Sequence, residues 1–270
     1  MHPASIHTTL RYTIDTGIKP VNATVGPGGR LRQRTGGQND DREVSIANAR
    51  AWAQPPSLDR EGFALVEHRT AVADLWDDAQ RVPAYDREIE RLVAEHTGAS
   101  RVVVFDTTMR STDPGRQQAN YAREPVQLVH NDYTEWSGPQ RLRDVLPDEA
   151  DTLLQRRFAI VQVWRPTGPP VETFPLALCD AASLAPADLI AAERRHPNRV
   201  GEIYQVAYSP EHRWCYFPRM VRSEALVFKV YDSRRDVARF TAHTSFADPT
   251  AAAGDGLRES IETRTLALFD

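Results

Sequence analysis

Three side chains in this sequence have the types and the spacing to hold one metal ion. His130 and Asp132 stand two apart in the segment VHNDYT. Residues i and i+2 of a strand point to the same side, so an imidazole and a carboxylate would converge at a strand end. His243 lies far downstream in the strand-like run RFTAHTSF. Two histidines and one carboxylate on one face form the facial triad of non-haem Fe(II) oxygenases. The opposite face then stays open for dioxygen and a bidentate oxo acid. A His-x-Asp pair alone is common. It gains meaning only with the distal histidine and with an anchor for an acidic cosubstrate.

The segment RESIETRTLALF near the C-terminus offers that anchor. Read as a strand, it puts Arg258, Ser260, Glu262 and Arg264 on one face. A guanidinium gives two parallel donors and a serine two residues away adds a third, enough to grip one carboxylate. Such an Arg-x-Ser pattern after the distal histidine is how many 2-oxoglutarate oxygenases hold the cosubstrate. Arg264 is a rival because it shares the face. Lys229 is another, since a lysine in the apolar run ALVFKVYD is costly unless paired; Asp232 and Glu224 are its alternative partners. The plainer reading of Arg258 and Glu262 is a pair of surface charges.

Candidate substrate contacts follow from strand ends and aromatic positions. Arg110 follows VVVFD and Arg165 follows VQVW, where either could bind an acidic group or form a surface ion pair. Tyr133 and Trp136 come just after the metal pair. Trp164, Tyr204, Trp214 and Tyr216 read as core or pocket wall, and Trp214 joins the candidate substrate contacts. The other histidines, His2, His7, His68, His96, His196 and His212, read as surface or capping residues.

Composition narrows the function class. The net charge is -4, from 33 Lys+Arg against 37 Asp+Glu, so no basic field for nucleic acid is expected. Lysine occurs only at Lys19 and Lys229. No run reaches the roughly 18 apolar residues that span a bilayer. The N-terminal segment lacks the charged and apolar regions of a signal peptide, so a cytoplasmic location is expected. Cys179 and Cys215 fit no metal or disulfide spacing. With 41% apolar and 26% charged residues, the chain reads as globular.

The elements needed to position the triad are mostly strands. Short runs rich in Val, Phe, Tyr and Trp occupy 8–14, 63–67, 102–106, 126–130, 158–164, 174–179, 202–208, 214–217, 225–231 and 239–246. Helical periodicity predicts a helix over 84–97, with Ile89, Leu92 and Val93 on one face and Gly98 as its C-cap. Shorter helices are expected over 140–155 and 186–195. Residues 24–42, with five glycines, read as a loop or lid, and 250–256 as a second loop. The sum is a mainly β fold with flanking helices, an α+β barrel or double sheet in one domain over 1–270. Residues 1–100 are expected to be an N-terminal elaboration that contributes to the substrate pocket.

Several segments together resemble the asaB hydroxylase/desaturase family, which also takes in the smaller component of the cephalosporin 7-alpha-methoxylase and related tailoring oxygenases. They are VFDTTMRS (104–111), VHNDYTEWSGPQRLRDVLP (129–147), VWRPTGPPVETFPLALCDAASL (163–184), YSPEHRWCYFPRMVRSEALVFKVYDS (208–233), HTSFADP (243–249) and RESIETR (258–264). The resemblance implies a double-stranded β-helix (jelly-roll, cupin-like) dioxygenase fold, with Fe(II), 2-oxoglutarate and dioxygen. It places the metal on His130, Asp132 and His243, and the cosubstrate on Arg258 and Ser260. A small molecule would be hydroxylated, desaturated or cyclised, with release of succinate and carbon dioxide, by a monomer or homodimer. The alternatives are a cupin-like metalloenzyme that needs no oxo acid and a non-catalytic ligand-binding barrel.

Overall fold

The computed structural model describes residues 2–25, 30–120, 122–196, 199–252 and 256–270. Along the chain run β1 (Ser5–Ile14), β2 (Val21–Val25), β3 (Arg30–Thr35), β4 (Gln38–Asn48), β5 (Phe63–Glu67), α1 (Asp78–Arg81), α2 (Ala84–Thr97), β6 (Arg101–Ser111), α3 (Pro114–Asn120), β7 (His130–Asn131), α4 (Ser137–Val145) and α5 (Ala150–Leu153). Then follow β8 (Phe158–Pro166), β9 (Leu176–Cys179), β10 (Leu189–His196), β11 (Arg199–Val206), β12 (Trp214–Tyr216), β13 (Glu224–Asp232), β14 (His243–Ser245) and β15 (Glu259–Leu268).

These strands make two sheets. One has the order β1-β4-β12-β9-β14-β7-β11-β10-β2-β3, the other β5-β13-β8-β15-β6. Strand alternation decides what each face buries. In β8, Phe158, Ile160 and Trp164 point toward Leu176, Leu178 and Cys215 of the longer sheet and form the core between the sheets. Ala159, Val161 and Val163 point the other way and pack against Tyr85, Ile89, Leu92 and Val93 of α2. On the far side of the longer sheet, Leu10, Tyr12 and Ile46 pack with Ala177, Trp214 and Tyr216. Two facing, mainly antiparallel sheets with a helix outside are the expected double-stranded β-helix arrangement.

Helix α2 matches its expected span, with Gly98 at φ 73° closing it through its N–H to Ala94 O. Three expectations need correction. The 24–42 stretch is largely strand: β3 and β4 fill much of it, and β4 pairs with β1 in unbroken register from Gln38 to Ala47. Gly36 and Gly37, both at positive φ, link β3 to β4. Residues 26–29 lie outside the described residues. The expected helix at 186–195 is a single 3-10 turn followed by β10, whose alternate residues Ile190 and Ala192 are buried. The expected helix at 140–155 is two short ones, because Leu146 precedes Pro147 and helical backbone is disfavoured before proline. Of the 250–256 loop, residues 253–255 lie outside the described residues.

Candidate metal centre and cosubstrate site

Strand pairing brings the two histidines together. β14 runs antiparallel to β7, with His243 directly opposite His130. Their ring centroids are 4.5 Å apart. Sequence reasoning puts His130 at the end of a strand over 126–130, whereas it opens the two-residue β7. Each ring is fixed through Nδ1, which lies 2.7 Å from Leu128 O in His130 and 2.9 Å from Thr241 O in His243. With Nδ1–H donating to a carbonyl, Nε2 keeps its lone pair for a metal. Asp132, one residue beyond β7, places Oδ1 3.4 Å from His130 Nε2. One ligand atom from each of the three residues lies within 4.8 Å of the others, and all three residues are buried.

The second oxygen of Asp132 is held from the opposite sheet. Oδ2 accepts from Gln162 Nε2 of β8 at 2.5 Å and from Arg264 Nε of β15 at 2.8 Å. Burial opposes the charged carboxylate, but Arg264 and then His130 outweigh it and hold the group well below the usual carboxylate range. Burial, and then the neighbouring His130, push His243 down to about 4. At neutral pH this pairs an ionised carboxylate with a neutral imidazole, the protonation states in which both bind a metal.

A small cavity on the histidine side is lined by His130, His243, Trp164, Ser245, Arg258 and Glu262, among others. Arg258 is 2% exposed and stacks over the Trp164 ring at 5.3 Å. Its Nε and Nη1, and the Oγ of fully buried Ser260, have no hydrogen-bond partner. Burial, and then Arg110, push the Arg258 guanidinium down to about 9. Orphaned buried donors on this scale are costly and call for an acceptor. The donor set fits the distal carboxylate of 2-oxoglutarate. Arg264 has no such vacancy: it bonds Asp132, Asp106 at 2.6 Å and Glu262. Lys229 lies elsewhere, 2.9 Å from Asp59 and 3.0 Å from Asp232.

Comparison with known proteins agrees with this geometry. Residues 10–268 match the family described as Oxidoreductase/YMDC permease-like domain. The chain is 32% identical over 254 residues to the hydroxylase/desaturase CTB9 of Cercospora beticola, covering 86% of this chain and 78% of that protein. It is 30% identical over 223 residues to the alpha-ketoglutarate-dependent dioxygenase phiK of a fungal species, covering 78% and 79%. The solved structure of the iron and alpha-ketoglutarate-dependent endoperoxidase NvfI superposes with a TM-score of 0.88 at 25% identity, covering 98% of each chain. The chain belongs to the Fe(II)/2-oxoglutarate-dependent dioxygenases. Their fold is the jelly roll seen here, and their chemistry requires iron, 2-oxoglutarate and dioxygen. No helix among the described residues of this dioxygenase is long and apolar enough to cross a membrane.

The remaining candidates scatter around the dioxygenase centre. Arg110 reaches the small cavity, donating to Glu262 at 3.1 Å and to Glu124 O at 3.1 Å. Tyr133 and Trp136 line a second, larger cleft that meets the centre at Asp132. Tyr133 is buried and Trp136 is 53% exposed at the rim. Arg165 sits on the outer face of β8, beside His68 and over the Tyr85 ring, away from the histidines. Trp214 faces outward from the longer sheet and donates to Tyr12 Oη at 2.7 Å. The walls of both spaces come from Phe105 onward among the described residues. Residues 1–100 supply β1 and β4 at one edge of the longer sheet, β2 and β3 at its other edge, and β5 at an edge of the shorter sheet.

Three further residues bond to Asp132 or Arg264 at the candidate centre: Gln162, Asp106 and Glu262. Gln162 carried a readable signal as the single polar residue in FAIVQVW, a run the structure buries throughout. Glu262 bridges Arg110 and Arg264 and is held at about 2; burial opposes this, and the two guanidinium groups outweigh it. Arg264 stands two residues away on the same strand face, whereas Arg110 lies on β6, a pairing that sequence spacing alone could not give.

Proposed function

We propose that this chain oxidises a small natural-product or amino-acid-derived molecule by hydroxylation, desaturation or cyclisation. In this reading His130, Asp132 and His243 hold the iron, and Arg258 with Ser260 holds the far carboxylate of 2-oxoglutarate. The observation that carries it is the unsatisfied guanidinium of Arg258, buried in the same small cavity that His130 and His243 line, with the unsatisfied Oγ of buried Ser260 two residues further along the chain. A barrel that bound metal without an oxo acid would have no use for a buried, uncompensated arginine there.

Bound iron with 2-oxoglutarate and dioxygen supplies the oxidising power, and the cosubstrate leaves as succinate and carbon dioxide. The chain contributes placement and exclusion of water. Leu128 and Thr241 carbonyls fix the imidazoles, Gln162 and Arg264 fix the carboxylate, and Trp164 packs under the Arg258 guanidinium. The larger cleft at Asp132, rimmed by Trp136, receives the substrate. The proposed setting is the cytoplasm, with one domain per chain, as a monomer or homodimer, and without nucleic acid or membrane.

Anaerobic addition of Fe(II) and 2-oxoglutarate tests the reading. A weak visible charge-transfer band is expected, followed by succinate on admission of oxygen with candidate substrates. Absence of both the band and succinate would reject it.

A further inference from the structure

Besides Arg264, the cleft beside Asp132 is lined by Arg123, Arg141, Arg194 and Arg199; Arg141 pairs with Asp144, and Arg123 and Arg194 are fixed by strand pairing. Arg123 is fixed against the edge of β6, where its N–H donates to Met109 O at 2.9 Å and its own carbonyl accepts from Ser111 N at 3.0 Å. Arg194 is fixed within β10 between β11 and β2, opposite Gly201 and Asn22. Both side chains line the same cleft as Asp132 and Tyr133.

The carboxylates around that cleft are already engaged. Asp132 and Asp106 are bonded by Arg264, and Glu202 by Lys19 and Thr134. Asp144 accepts from Gln140. Glu262, just beyond, is taken by Arg110 and Arg264. Neither Arg123 nor Arg194 has a side-chain hydrogen bond or ion pair among the described residues. Burial, and then the like charges of Arg110 and Arg264, push Arg123 below the ordinary arginine range. Burial also lowers Arg194; Asp132 opposes this and Arg123 adds to it. Two partly desolvated guanidinium groups facing one space favour an anion strongly, and a carboxylate matches their planar donors.

We infer that the substrate is a carboxylic acid whose carboxylate is held by Arg123 and Arg194, with the rest of the molecule lying beside Asp132. This rests on the oxygenase reading, which makes that cleft the substrate side. The two anions then occupy different places: the cosubstrate lies at Arg258 behind the histidines, and the substrate carboxylate lies at the arginine pair in front of Asp132.

The test is calorimetric titration of the protein loaded anaerobically with Fe(II) and saturating 2-oxoglutarate. The probes are octanoate, 4-phenylbutyrate and indole-3-acetate, each paired with its primary amide. At least one acid should bind about tenfold more tightly than its amide, the loss expected for removing one charged hydrogen bond in a part-solvated site. Arg123→Met and Arg194→Met should each erase that preference, and Arg194→Lys should keep part of it. The inference fails if no acid is preferred, or if the preference survives in the double Arg123→Met/Arg194→Met variant. It also fails if raising 2-oxoglutarate displaces the acid, because the acid is then at the Arg258 anchor. Binding is read without turnover, so failure here is separable from failure to form succinate.

Discussion

Arg264 and Asp132 divide the work of one carboxylate. Arg264 Nε lies 2.8 Å from Oδ2, while Oδ1 stands 3.4 Å from the Nε2 of His130. One oxygen is tied to the far sheet and the other is turned toward the two imidazoles. Replacing Arg264 leaves Oδ2 held by Gln162 and makes rotation of the carboxylate easier. Arg264→Met should weaken Fe(II) binding by roughly 10- to 100-fold, the usual cost of losing a group that orients a metal ligand. Anaerobic iron titration measures it. Once iron is saturating, the 2-oxoglutarate requirement should be little changed; a large rise would make Arg264 the cosubstrate anchor.

Arg258→Gln removes the charge that would face the cosubstrate. Apparent 2-oxoglutarate affinity should drop about a hundredfold, from the loss of some 2–3 kcal/mol in charge-assisted hydrogen bonds. Ser260→Ala should cost less, about five- to tenfold for one neutral donor. Intensity of the visible band against 2-oxoglutarate concentration reads both. Unaltered affinity in Arg258→Gln would remove the anchor assignment.

His130→Ala and Asp132→Ala should each abolish iron-dependent succinate formation and leave the protein with far less than one bound iron. Circular dichroism should still report the folded sheets, since each residue sits in or beside the short β7 rather than in the apolar core. Retained turnover in either variant would refute the metal assignment.

Glu262 sits between two buried cations, Arg110 and Arg264. Glu262→Leu takes the carboxylate partner from Arg110, while Arg264 keeps Asp132 and Asp106, and should cost about 3–5 kcal/mol of stability. Urea unfolding midpoints check this. The double variant Arg110→Leu/Glu262→Leu should recover part of the loss, because an isolated buried charge is worse than none.

Much of the site was legible in the sequence because its signals are local. His-x-Asp, the Thr-Ala-His run and the Arg-x-Ser face each declare themselves within a few residues, and the family resemblance joined them. Helix α2 was legible for the same reason: its apolar period and terminal glycine lie in one segment.

Long-range pairing was the part that could not be read. Arg258 and Arg264 share one strand face and look equivalent in sequence. What separates them is that Asp132, Asp106 and Glu262 surround Arg264, while Arg258 has Trp164 beneath it and free donors. Arg165 and Lys229 looked similarly eligible, yet strand alternation turns Arg165 to the outer face of β8, and Lys229 is committed to Asp59 and Asp232. The 24–42 stretch was misread because its strands are polar in sequence, so they lack the apolar alternation that marks a strand. β4 there is defined by its partner β1 rather than by its own composition.

The two histidines ride on the longer sheet, and the Arg258/Ser260 pair stands on or beside β15 of the shorter one. The gap between the sheets therefore works as a caliper whose setting is the span from iron to cosubstrate anchor. Leu176 and Leu178 on one jaw and Phe158, Ile160 and Trp164 on the other keep that setting. Tolerance to mutation should be graded accordingly: a trimmed side chain in this seam can detune catalysis while leaving the metal in place, whereas the same trim behind α2 weakens the scaffold without altering the measure.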